Sequence, residues 1–304
     1  MISYSRRLDD AIGCHWHGTE LFRYVYRPSE PELESPHPYL HPVRTLGGEL
    51  VSLYRPHDHM WHKGIAWALC EVGGMNFWGG PSFRRGRGYV QLDNNGQMRH
   101  DRFIDISVRD DVLAIDERLT WITRQDEAWI TETRQITAAV MADESAWRLG
   151  FATTMRNVSG RAIPLGSATT EGRENAGYSG LFWRGPRSFS AGTAITENGP
   201  GGDELMGIRA PWLAYTGQHD GSGLHSTLLF ADSPRNFCYP TEWFVRTNVY
   251  ACVCPAPFFS AEYQLLDGEE LTLGYDVIVA DGALDAPTCA SMADRLAAGQ
   301  EAPA

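Results

Sequence analysis

Val112-Leu-Ala-Ile-Asp-Glu-Arg-Leu-Thr-Trp-Ile-Thr123 and Ala128-Trp-Ile-Thr-Glu-Thr-Arg-Gln-Ile-Thr137 alternate apolar with polar residues, and Trp147-Arg-Leu-Gly-Phe-Ala-Thr-Thr-Met-Arg-Asn157 continues the pattern. A period of two places every second side chain on one face, the pattern of half-buried antiparallel strands. Asn157-Val-Ser-Gly160 then makes a turn. Further strands are expected at Trp212–Gly217, His225–Ala231, Val249–Cys254, Ala261–Leu266 and Leu271–Val279. Asp267-Gly268 supplies the backbone freedom of a tight turn, which predicts a hairpin around Leu266–Glu269. Helix is confined to 287–298, where Met292, Leu296 and Ala297 form a modest apolar face. Arg27–Pro38 and Asn198–Asp203 read as surface loops. The expected fold is all-β: one large antiparallel β-sandwich over residues 1–304 with a short C-terminal helix.

Composition narrows the partners. The 26 basic and 38 acidic residues leave a net charge of −12, which repels nucleic acid and anionic membranes. No run approaches the ~20 apolar residues of a spanning helix, and Met1–Asp10 lacks the order of a signal peptide, so a cytoplasmic location is expected. The six cysteines are expected to be reduced there, and Cys252 and Cys254, which could hold a soft metal, read better as small buried thiols. Walker, G-x-G-x-x-G and G-x-S-x-G patterns are missing, so no nucleotide cofactor or serine nucleophile is expected. Exposed sandwich edges are compatible with a homodimer.

Chemistry concentrates in Arg55-Pro-His-Asp-His-Met-Trp-His-Lys-Gly64. In extended chain His57 and His59 project to one side, and His62 joins them if the chain turns at Met60-Trp61. Imidazole binds transition metals and titrates near neutral pH, so His57, His59 and His62 are candidate ligands of one divalent ion (zinc, manganese, nickel or iron) or acid–base groups. His41, Glu171 and His100 are candidates to complete the set. Gly73-Gly-Met-Asn-Phe-Trp-Gly-Gly80 and Asn175-Ala-Gly-Tyr-Ser-Gly-Leu-Phe-Trp-Arg-Gly-Pro-Arg187 set aromatics and polar groups among glycines. Such residues suit a sugar, whose C–H face packs on a ring while its hydroxyls take hydrogen bonds. Arg44, Trp61, Asn76, Trp78, Arg184, Glu242 and Trp243 are the expected contacts.

Tyr39-Leu-His-Pro-Val-Arg-Thr45, Arg55–Gly64, Asn76-Phe-Trp-Gly79 and Asn175–Arg187 together resemble the bacterial family filed as "methane oxygenase PmoA" or as a domain of unknown function. The resemblance spans roughly residues 39 to 280. It implies a β-sandwich similar to the galactose mutarotases and a place in carbohydrate catabolism beside enzymes that make keto-sugars. Methane oxidation itself is not expected, because the membrane subunit of that name spans the bilayer many times. The leading expectation is therefore a lyase, hydrolase or epimerase acting on a keto-glycoside, with a histidine or carboxylate base and with a metal or Arg44 stabilising an enolate. The alternatives are a non-catalytic carbohydrate-binding or regulatory protein and a metal-dependent oxygenase built on two histidines and Glu171.

Overall fold

The computed structural model describes residues 1–7 and 9–301. The alternating segments are neighbours: Gln97–Arg109, Val112–Ile122, Ala128–Met141, Ala146–Asn157, Glu270–Asp281, His225–Asp232, Trp212–Gln218, Thr193–Thr196 and Gly199–Gly201 form a nine-stranded antiparallel sheet in that spatial order. Register aligns the apolar positions. Ile115 lies opposite Ile136, Ile136 opposite Phe151, and Phe151 opposite Tyr275, one buried row across four strands. A second, eight-stranded sheet runs Ile2–Arg7, Ala11–Trp16, Thr19–Val25, Tyr39–Val43, Ile65–Ala68, Gly180–Arg184, Cys252–Ala256 and Glu242–Arg246. The two sheets enclose the main core, to which each contributes a large tryptophan set, Trp121 and Trp147 from one and Trp67, Trp183 and Trp243 from the other. The antiparallel sandwich expected from the period of two is the observed architecture.

The C-terminal helix, Ala286–Glu301, begins one residue before the expected start and covers the outer face of the nine-stranded sheet. Cys289, Met292 and Leu296 pack there on Trp212, Leu229 and Ile278. No helix among the described residues is long and apolar enough to cross a membrane. All six cysteines are free, and Cys252 and Cys254 are buried small hydrophobes on one face of their strand.

Three local expectations need correction. Leu266–Glu269 is a turn, with the Glu269 amide donating to the Leu266 carbonyl at 3.0 Å and Gly268 at φ 76°. It is not a hairpin, because Tyr263–Leu265 pairs with Ile163–Gly166 while Glu270–Asp281 joins the large sheet. Asn198–Asp203 contains the strand Gly199–Gly201, paired with Thr193–Thr196. Arg27–Pro38 is not wholly superficial, since Glu34 is buried against the loop that carries Arg55 and Ser35 against the loop that carries Asn76.

The eight-stranded sheet is buried on both faces over its middle strands, which positions the site. Ile65 and Trp67 enter the main core, and Ala66 and Ala68 face outward. Leu181 and Trp183 go in and Phe182 out; Trp243 and Val245 go in and Phe244 out. Loops stand over this outer face and border a cavity that opens to solvent.

Candidate active site

The loop leading into Ile65–Ala68 fixes the histidines. Gly64 donates its amide to the Leu53 carbonyl and Leu53 donates to the Arg184 carbonyl, each at 2.9 Å. Between them the His59 amide donates to Pro56 at 3.0 Å and the His62 amide to His59 at 2.9 Å. Two successive turns thus replace extended chain, so His57 and His59 do not share a side. His57 is exposed and meets Arg187 Nη2 at 3.2 Å. His59 and His62 turn inward with ring centroids 4.7 Å apart.

The electrostatics of this pair follow from its neighbours. His62 Nδ1 lies 3.2 Å from Arg184 Nη1. A guanidinium has only donors, so Nδ1 holds the lone pair and the ring hydrogen sits on Nε2. Burial, and then the charge of Arg184, hold the His62 pKa well below the usual imidazole value. Burial also lowers His59, with Asp58 opposing and Arg184 adding to the effect. Both rings are neutral at neutral pH. Burial acts to raise the Asp58 carboxyl, yet hydrogen bonds from its own amide and His59 and the charge of Arg184 hold it down at about 2. Asp58 Oδ1 accepts from Arg187 at 2.9 Å, and Oδ2 stands 3.7 Å from Arg184 Nη2.

The cavity beside the pair has a volume of ≈ 490 Å³, within the ordinary range for small-molecule sites. Trp61, Trp78, Phe182, Phe244, Tyr178 and Tyr250 wall it, with Tyr89, Arg173 and Arg246 completing the lining. Glycine shapes one side. Gly80 has φ 68°, and a Cβ there would fall 2.7 Å from the Trp61 ring, so the indole lies directly on bare backbone. Arg184 is fully buried behind this wall with its Cζ 3.8 Å from the Tyr250 ring centroid.

Of the expected residues, the fold therefore gathers His59, His62, Trp61 and Trp78 around the cavity, with Arg184 directly behind. The others stand elsewhere. Asn76 is buried and saturated by backbone: its Oδ1 accepts from Trp78 and Gly79 at 2.9 Å each, and its Nδ2 donates to Gly79 and Gly80. It builds the glycine loop instead of contacting a ligand. His41 donates to or accepts from Ser52 at 2.8 Å and stacks on Tyr54. Arg44 bonds the Gly48 carbonyl at the far end of its strand. Glu171 pairs with Arg84 at 3.7 Å in a separate small depression beside Cys70 and Tyr178. Glu242 accepts from Arg209 and Ser260. Trp243 points into the main core, its Nε1 donating to Ala210 at 2.9 Å, because strand alternation gives the cavity Phe244 instead. His100 lies between the sheets on Glu117 at 2.5 Å.

A divalent metal does not fit this arrangement. Among the described residues no group of three or more His, Cys, Asp or Glu side chains is placed to hold one. His57 stands outside, the Nδ1 lone pair of His62 is occupied by Arg184, and Asp58 is shared with two arginines. Sequence reasoning missed Tyr89, Arg173, Tyr178, Phe182, Phe244, Arg246 and Tyr250. Tyr178 and Phe182 sit inside the quoted Asn175–Arg187 stretch; the rest carry no local signal, because only sheet order brings them together.

A family model described as "Family of unknown function (DUF6807)" matches residues 12–294. The chain belongs to the DUF6807 family. The resemblance read from the motifs holds at the level of a domain of unknown function, and a methane-oxygenase label is no part of the matching description. None of the curated proteins matches the DUF6807 chain. Among solved structures it is similar to a GH36 alpha-galactosidase, AgaA, from Geobacillus stearothermophilus, with 10% identity over 93% of this chain and 39% of that one and a TM-score of 0.39. It thus spans well under half of that enzyme's length. It is also similar to galactose 1-epimerase from Lactobacillus acidophilus NCFM, with 9% identity over 93% of this chain and 99% of that one and a TM-score of 0.42. Likenesses this distant carry no argument about what the DUF6807 chain binds.

Proposed function

We propose that this protein acts on a sugar by proton transfer next to a carbonyl, the chemistry of a lyase or epimerase, with His59 as base. The observation that carries the reading is the His59–His62 pair set in an aromatic-walled cavity. A neutral imidazole accepts a proton near its operating pH, and the lowered pKa of His59 keeps it in that form. His62 is held by Arg184 with hydrogen on Nε2, so it donates to a carbonyl oxygen without giving up its proton.

In this scheme His59 takes the C–H proton beside the carbonyl. The C–H electron pair becomes the enolate double bond, and the oxygen gains charge against His62 Nε2–H. The His59 imidazolium then returns the proton either to the opposite face of that carbon, once the enolate has turned over in the cavity, giving an epimer, or to a leaving oxygen on the next carbon as its C–O bond breaks and the carbonyl re-forms, giving elimination. The aromatic walls supply stacking surface for the C–H face of a sugar ring. Among the described residues the cavity lining holds no carboxylate, so two-carboxylate glycoside hydrolysis has no residues to run on. A two-histidine, one-carboxylate iron site likewise lacks its carboxylate, since Glu171 stands in another depression.

The test is deuterium wash-in. Keto-glycosides incubated with the protein in D2O are expected to gain deuterium at the carbon beside the carbonyl, seen by NMR. His59→Asn is expected to lower the rate by about 10²-fold or more. Sugar binding without any exchange would sink proton transfer and favour a non-catalytic carbohydrate-binding protein, a reading that the carboxylate-free aromatic lining also supports.

A further inference from the structure

We propose that the sugar carries an anionic group, a carboxylate or a phosphoryl ester, received by Arg173 and Arg246; the word sugar rests on the reading above, the anion does not. The chain as a whole is acidic, with 38 Asp and Glu against 26 Lys and Arg. The cavity beside the histidines reverses that balance, because among the described residues its lining contains Arg173 and Arg246 and no Asp or Glu. A cleft with apolar walls and one sign of charge on its lining concentrates ligands of the opposite sign.

Both guanidiniums are held in place while keeping donors to offer. Arg173 stacks over Tyr89, Cζ to centroid 4.6 Å, and donates Nη1 to the Tyr89 hydroxyl, which is 2.9 Å from the Tyr178 hydroxyl. Arg246 lies over Phe244 at 5.6 Å and donates Nη2 to the Asn175 carbonyl at 3.4 Å. Asp203 partly offsets Arg246: its Oδ2 stands 3.8 Å from Nη1, while its Oδ1 accepts from the Thr247 amide at 2.6 Å and hydroxyl at 3.0 Å. Glu171 pairs with Arg84, and Asp58 with Arg187.

A third cation reinforces the field. Arg184 is wholly buried under Tyr250, and its Nε and Nη2 have no hydrogen-bond acceptor. Asp58, its Oδ2 3.7 Å away and its Oδ1 on Arg187, is the nearby counter-charge, so a second anion in the cavity would relieve part of the cost of burying this guanidinium. Ring contacts also separate the two chemistries. They lead from His62 to Phe182 at 4.8 Å, on to Phe244 at 6.4 Å and to Tyr178 at 5.4 Å. The imidazoles stand at one end of this run and Arg173 and Arg246 at the other. A ring between them presents its reacting carbon to His59 and its anion to the arginines.

Calorimetric titration of the full chain with glucuronate and galacturonate, glucose and galactose, the two hexose 6-phosphates, and glutarate tests this. At least one acidic sugar is expected to bind roughly tenfold or more tightly than its neutral parent. Added salt should erode that preference, and Arg173→Gln or Arg246→Gln should bring the ratio of acidic-sugar to neutral-sugar affinity close to one. Preference for uronates assigns a carboxylate, and preference for the 6-phosphates a phosphoryl group; either supports the anion site. Glutarate binding as tightly as the best sugar keeps the anion site and overturns the sugar reading. Equal binding of neutral and acidic sugars, or arginine variants that keep the preference, overturns the inference and leaves the sugar reading standing.

Discussion

The protonation of one ring decides what the site does. His62 cannot be a base while Arg184 occupies its Nδ1, which leaves His59, half-exposed to the cavity, to accept the proton. The sign of its pKa shift fixes a pH profile. A lowered pKa means the base form persists as pH falls, so activity should stay level through neutrality and drop only below the usual imidazole value of ~6.5. Arg187 contributes to that lowering, and it also holds Asp58, which acts the other way on His59. Arg187→Gln removes a cation and frees a carboxylate, both of which raise the His59 pKa. The acid limb of the rate profile should therefore move to higher pH; an unmoved limb would remove His59 as the titrating base. Backbone matters as much as charge at this scale. Gly80→Ala forces a side chain onto φ 68° and into the Trp61 ring. A cost of about 1–3 kcal/mol and weakened ligand affinity are expected together, read by urea unfolding and calorimetry on the same protein.

Strand alternation assigns neighbouring residues to different roles. In Glu242–Arg246 the side chain of Trp243 fills the core and that of Phe244 walls the cavity. Trp243→Ala should cost about 3–5 kcal/mol with ligand affinity kept in the surviving fold, whereas Phe244→Ala should cost less stability and most of the affinity. Equal effects on both readouts would contradict the register. The same physics explains what could be read from sequence. Val112–Ile122 and Ala128–Met141 announce themselves because one face of each meets water over much of its length. Ile65–Ala68 and Gly180–Arg184 are buried on both faces, so they show no period, and the second hides inside a glycine-flanked motif. His59, His62, Trp61 and Trp78 stood out by clustering. Arg173, Arg246 and Tyr250 did not, because a single arginine or tyrosine has no pattern until the order of Ile65–Ala68, Gly180–Arg184, Cys252–Ala256 and Glu242–Arg246 in the sheet brings them together. Trp243 and Phe244 differ by one residue, which in a strand is the difference between core and cavity.

For the whole molecule, the histidines set the acid limit of stability. His37, His41, His59, His62 and His219 all have lowered pKa values with burial as the first cause. The folded state therefore binds fewer protons than the unfolded chain below ~6.5, and stability rises with pH in that window and is lost as pH falls through it. His41, brought down to about 4, accounts on its own for about 3 kcal/mol between those limits. Raised carboxyls oppose this. Burial pushes Asp232 up to about 6 against hydrogen bonds from Asn236 and the Thr241 amide, and burial also raises Glu71 and Glu197. The folded form of Asp232 holds a proton that the unfolded chain has released, so it favours folding as pH falls from 6 toward 4, again by about 3 kcal/mol. Asp58, Asp203, Glu269 and Asp285, whose carboxyls are held low, act on the imidazoles' side, so the balance is a net loss. The urea midpoint should thus fall steadily from pH 7.5 to pH 4.5. His41→Gln should flatten that decline and Asp232→Asn should steepen it, because each removes one side of the opposition. A midpoint that stays constant across the range, with both variants behaving like the parent, would mean that buried imidazoles do not set the acid limit of this fold.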